Sequence, residues 1–109
     1  MREIKFRIWD VNFREMCFDR DLMDEDYLNI VRYNVKPDQH KIMQYTGLKD
    51  KNGTEIYEGD ILQRNDNSIA VVEFENGMFT TAYDSLNFEL YDNGSVVIGN
   101  IYQNPELSE

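Results

Sequence analysis

Met43-Gln44-Tyr45-Thr46-Gly47-Leu48-Lys49-Asp50-Lys51-Asn52-Gly53-Thr54-Glu55-Ile56-Tyr57-Glu58-Gly59-Asp60-Ile61 is the stretch whose reading decides the fold class of this chain. Asn52-Gly53 lies between two apolar-rich segments. Asn-Gly is a strong hairpin signal because both central residues of a type I′ turn need positive φ. Residues 41–46 therefore read as a strand, 49–53 as a turn and 54–57 as a short return. Glu58-Gly59-Asp60 then punctuates the chain before another apolar segment at 61–64.

The same grammar continues downstream. Asn65-Asp66-Asn67 reads as a turn, and 69–74, rich in β-branched residues, as a buried strand. Residues 78–83 pair with it across a second Asn-Gly, Asn76-Gly77. Strands at 88–91 and 95–102 flank a third, Asn93-Gly94, and Asn104-Pro105 closes the ordered part. Upstream, Ile4, Phe6 and Ile8 alternate with Lys5, Arg7 and Trp9, the pattern of a half-buried strand with one apolar and one mixed face. Residues 10–14 form a loop from which 15–18 return antiparallel. Residues 21–31 open with acids suited to the first turn of a helix, although their apolar spacing is only loosely helical, and Pro37 ends whatever forms there. The expected fold is mainly β: a small SH3-like barrel or strongly bent antiparallel sheet, with an N-terminal hairpin and one short helix.

The 109 residues suit a single domain spanning 1–109. With 41% hydrophobic and 13% aromatic residues the chain can build a core despite 29% charge. One cysteine, Cys17, and one histidine, His40, cannot make an internal disulfide or a Cys/His zinc site. The charged, alternating start is unlike a secretory signal, and no apolar run approaches the ~20 residues of a membrane span. A cytoplasmic setting in a bacterial host cell, with no membrane contact, is the expectation. Asn52-Gly53-Thr54 and Asn93-Gly94-Ser95, which fit a glycosylation pattern, then read as turns.

Of the net charge of −10, residues 1–42 carry −1 (eight Lys/Arg, nine Asp/Glu) and residues 43–109 carry −9 (three against twelve). No basic residue follows Arg64. Phosphate neutralisation dominates nucleic-acid affinity, so direct binding of DNA or RNA is disfavoured. A basic partner is better matched, although acidity also serves solubility.

Phe6-Arg7-Ile8-Trp9-Asp10, MQYTGLKDKNGTEIYEGDI at 43–61 and VIGNIYQNPEL at 97–107, in this order and spacing, resemble the YopX family of small phage and prophage proteins. The three blocks span nearly the whole chain; residues 18–39 carry no family pattern. The resemblance implies a β fold related to SH3-type barrels and a phage-derived setting. The family has no established biochemical activity, so no catalytic or binding residue is carried over.

Little in the sequence points to catalysis or to a cofactor. In Asp50-Lys51-Asn52-Gly53 a calcium loop would need Gly sixth and Glu twelfth, whereas Gly comes fourth and Ile61 twelfth. Asp19, Asp21, Asp24, Glu25 and Asp26 offer oxygen ligands for a divalent cation, but Arg20 interrupts them and a solvated face is the commoner outcome. His40 sits in a polar run with no nucleophile elbow and reads as a surface histidine. Catalytic, cofactor and metal residues are therefore expected to be absent.

The aromatic residues Trp9, Tyr45, Tyr57 and Tyr102 remain, since SH3-like barrels bind peptides or cations through aromatics flanked by acids. Tyr45 and Tyr57 flank one turn with Glu58 and Asp60 beside them. The expected interaction surface is Tyr45, Lys49, Asp50, Tyr57, Glu58 and Asp60, set against the plainer alternative that these tyrosines pack in the core with wet hydroxyls. The function that follows is a non-enzymatic accessory module binding a host or phage protein. The alternatives are an acidic nucleic-acid mimic that inhibits a host DNA-binding protein and, behind it, a metal-dependent enzyme. An exposed strand edge would also permit a homo-oligomer.

Overall fold

A computed structural model describes residues 5–18, 39–81, 86–91 and 94–108. The chain is mainly β, and its strands pair antiparallel throughout the described residues. It divides into two compact units, residues 4–44 and residues 45–109 with the first three residues. The helix expected at 21–31, the stop at Pro37 and the acidic cluster from Asp19 to Asp26 lie outside the described residues.

In the unit of residues 4–44, β1 (Phe6–Asp10) pairs on one side with β2 (Glu15–Phe18) and on the other with the first half of β3 (His40–Lys49). The N-terminal hairpin is thus present where alternation placed it. Its turn is held by the Asp10 carboxylate, whose Oδ1 accepts the backbone N–H groups of Asn12 (3.0 Å) and Phe13 (3.1 Å). As the middle strand, β1 is buried on both faces at Arg7, Ile8 and Trp9, while Phe6 on the expected apolar face is exposed. Alternation showed the strand but not that its mixed face is covered too.

In the second unit the rest of β3 pairs with β4 (Glu55–Tyr57), and the register shifts between Tyr45 and Lys49. β5 (Asp60–Gln63) is the centre of a three-stranded sheet between β6 (Ile69–Val71) and β9 (Val96–Asn100). The single strand expected at 69–74 is instead two. Val72 leaves the ladder, its N–H donating to Asp60 O and its carbonyl accepting from Gly59 N, each at 2.9 Å. β7 (Glu73–Glu75) then pairs only with β8 (Met78–Thr80) among the described residues. Between them Asn76 and Gly77 have φ of 52° and 80°, the paired positive values that an Asn-Gly hairpin requires. The buried-strand expectation holds at Ala70 and Val72 and fails at Ile69 and Phe74, which are exposed.

Residues 88–91, read from sequence as strand, belong to a helix, α1 (Leu86–Tyr91). Leu86 and Leu90 fall four apart, one helical turn, and both pack in the core. That core gathers Ile56, Leu62, Ala70, Val72 and Leu86, with Leu48, Phe79, Leu90 and Val97 against it. Asn104-Pro105 does not close the order either: a 3₁₀ helix follows at Pro105–Ser108, because Pro suits the first helical position, where no N–H is needed. No helix of the described residues is long and apolar enough to cross a membrane.

Candidate functional site

The β3–β4 hairpin and the β4–β5 turn bring together all six residues singled out from the sequence. Tyr45 and Tyr57 stand opposite each other in register, ring centroids 5.4 Å apart and tilted by 40°. They are 5% and 3% exposed. Such a pair contributes ~0.5–1.5 kcal/mol beyond its area, but its ring faces are spent inside the protein and are closed to an outside peptide or cation.

Asp50 is also interior, 6% exposed. Its Oδ1 accepts the N–H groups of Asn52 and Thr54, each at 2.9 Å, and its Oδ2 accepts the N–H of Val97 at 3.0 Å. A tight turn leaves donors without ladder partners, and a carboxylate at its entrance can collect them while reaching across to β9. Asp60 repeats this at the next turn: 1% exposed, its Oδ2 accepts Tyr57 N at 2.8 Å. Gly59 between them has φ of 88°, where a side chain would be strained. Both acids are thus engaged with the backbone, which is how buried carboxylates are tolerated.

Only Lys49 and, in part, Glu58 of the six reach solvent. Half-buried Tyr102 joins Glu58, because Ile101 N donates to Gly59 O at 2.9 Å and Asn100 Oδ1 holds the turn by accepting Tyr102 N and Gln103 N. Burial first, and the Glu58 charge second, hold the Tyr102 phenol above its ordinary pKa. The neutral phenol is favoured in the folded state, so its contribution is whole below the ordinary phenol pKa and is lost as pH rises through the raised value. Glu58→Gln is expected to bring the Tyr102 titration down toward the free-tyrosine value, read by NMR with Tyr102→Phe identifying the signal. An unchanged titration would remove Glu58 as a cause.

His40, expected at the surface, has a half-buried side chain whose Nε2 lies 3.8 Å from Asp10 Oδ2. Trp9 is buried, and Cys17 is a half-buried free thiol. No three His, Cys, Asp or Glu side chains converge on a metal-sized site among the described residues.

An exposed surface of the second unit that the sequence reading did not single out lies on the β7–β8 hairpin. Glu73, Phe74 and Glu75 are all exposed, Phe74 by 49%, as is Met78 by 53%. Phe74 faces Phe79 across the pair with ring centroids 5.0 Å apart, and Phe79 packs on the core. Sequence reasoning passed over this place, although Glu73-Phe74-Glu75, acid-aromatic-acid directly before an Asn-Gly turn, was its signal.

Residues 5–109 match the family model described as YopX protein. Among solved structures the chain is similar to protein EF1440 from Enterococcus faecalis, with 31% identity, a TM-score of 0.73 and 100% of both chains covered. It is also similar in fold to protein yopX from Bacillus subtilis, at 22% identity and a TM-score of 0.64, covering 100% of this chain and 98% of the other. Comparison with the curated proteins finds no match.

Proposed function

The chain belongs to the YopX family, and from that premise we propose that it is a phage- or prophage-encoded accessory protein that acts as a non-enzymatic protein-binding module. The observation that carries this reading is the β7–β8 hairpin, which leaves Phe74 exposed on one face and Met78 exposed on the other, the face of Glu73 and Glu75. A large apolar side chain left exposed on a strand with no neighbour on its outer side among the described residues suits recognition by an added strand. A supporting point is that Asp50 and Asp60, the buried acids of the β3–β5 turns, accept backbone N–H donors that brace those turns.

Affinity capture from bacterial lysate, with and without competing duplex DNA, tests the reading. The expected result is a protein partner that DNA does not displace. A DNA-binding partner released by added DNA would instead favour the acidic mimic, for which the charge of −9 over residues 43–109 is the argument. An empty capture, or a confirmed catalytic turnover, would overturn the binding-module reading.

A further inference from the structure

The two-residue turn Asn76-Gly77 makes Glu75 and Met78 the hydrogen-bonded pair of the hairpin, and Phe74 and Phe79 the next, non-hydrogen-bonded pair. The backbone N–H and C=O of Phe74 therefore point away from β8, along the outer edge of β7. That edge has no strand beside it among the described residues, and its three side chains are exposed. Upstream it stops at Val72, whose backbone groups are taken by Gly59 and Asp60. Strand periodicity puts Glu73 and Glu75 on one face and Phe74 on the other, where its ring leans on Phe79.

We infer that the outer edge of β7 accepts a short extended segment of a partner protein with the pattern basic-apolar-basic, added as a further strand. The inference rests on the binding-module reading and names its surface and the chemistry of its partner. Main-chain bonds at Phe74 supply the register, as in other strand additions. The residues opposite Glu73 and Glu75 share their face, so Lys or Arg there meets a carboxylate, while the residue between shares the face of Phe74 and covers its exposed ring. The partner's charge follows from the surroundings as well, since no cation follows Arg64 in the chain. A second copy fits badly: antiparallel pairing of two β7 edges about Phe74 would set Glu73 of one chain against Glu75 of the other, like charges directly opposed at both positions.

The test uses the full chain and two capped peptides, Thr-Lys-Val-Lys-Thr and Thr-Glu-Val-Glu-Thr, followed by amide NMR. The basic peptide is expected to bind with shifts confined to β7 and β8, and to weaken roughly tenfold on going from about 0.05 M to about 0.5 M salt. The acidic peptide is expected not to bind. Glu73→Lys combined with Glu75→Lys, both at exposed positions, is expected to invert the preference, and that gain separates the result from simple loss of fold. Shifts mapping elsewhere, no binding of the basic peptide at low salt, or a double variant that keeps the basic peptide would each overturn the assignment. So would concentration-dependent self-association that the double variant abolishes. If the lysate partner is still captured by the double variant, the edge assignment fails while the binding-module reading stands; an empty capture sinks that reading by itself.

Discussion

Asp50→Ala is expected to lower the unfolding free energy by about 3–4 kcal/mol, because three N–H donors lose one charged acceptor. Asn52 and Thr54 are exposed and regain part of the loss from water, whereas Val97, half-buried on β9, regains less. Asp50→Asn keeps one carbonyl oxygen and can serve one side of the arrangement, but its amide group opposes a donor on the other. Its loss should be about half as large on the same principle. Denaturant unfolding of the three proteins orders them. A loss below about 1 kcal/mol for the alanine variant would mean that the three bonds are replaceable and Asp50 does not hold the hairpin to β9.

Leu62→Ala is the second large effect, expected at about 3–4 kcal/mol. Leu62 is 0% exposed and packs with Ile56, Ala70, Val72 and Leu86, so the substitution loses both transfer energy and contacts that its neighbours cannot close over. Domains of this size hold only ~5–15 kcal/mol in total, so the variant should be partly unfolded at modest denaturant. Ile69→Ala, at an exposed β6 position, is the matched control and should cost under about 1 kcal/mol. Equal midpoints for the two variants would place the core elsewhere.

The hairpins were legible in the sequence because their turn chemistry is local: at Asn76-Gly77 both residues take the expected positive φ, whereas at Asn52-Gly53 only Gly53 does (84°), in a longer turn between Lys49 and Glu55. Asn93 of the third Asn-Gly lies outside the described residues. Helix α1 was misread because Phe-Glu-Leu-Tyr alternates over only four residues, too short a window to separate a period of 2 from one of 3.6. The Leu86 and Leu90 spacing was the missing signal, and Ser85 before it is a residue type that starts helices.

The six site residues were found as neighbours, but four of them, Tyr45, Asp50, Tyr57 and Asp60, were misplaced in depth. Tyrosine is apolar enough for either environment, and aspartate is ordinarily a surface residue. What buries Asp50 and Asp60 is a set of backbone donors, and backbone groups leave no mark in a sequence. The hairpin edge was illegible for a different reason: that Val72 departs from the ladder, setting β7 off from β6, depends on its bonds to Gly59 and Asp60, more than ten residues earlier.

The bonds of Asp50 also differ in when they can form. Those to Asn52 and Thr54 close within the turn itself and belong to the microsecond life of a hairpin. The bond to Val97 closes a separation of 47 residues and must wait until β9 has returned to β5. An interaction made after the transition state leaves the folding rate nearly untouched and slows unfolding instead. With the Val97 bond formed in that late step, Asp50→Ala is expected to speed unfolding more than it slows folding, and stopped-flow rates in which folding slows as much as unfolding speeds would place the bond in the transition state instead.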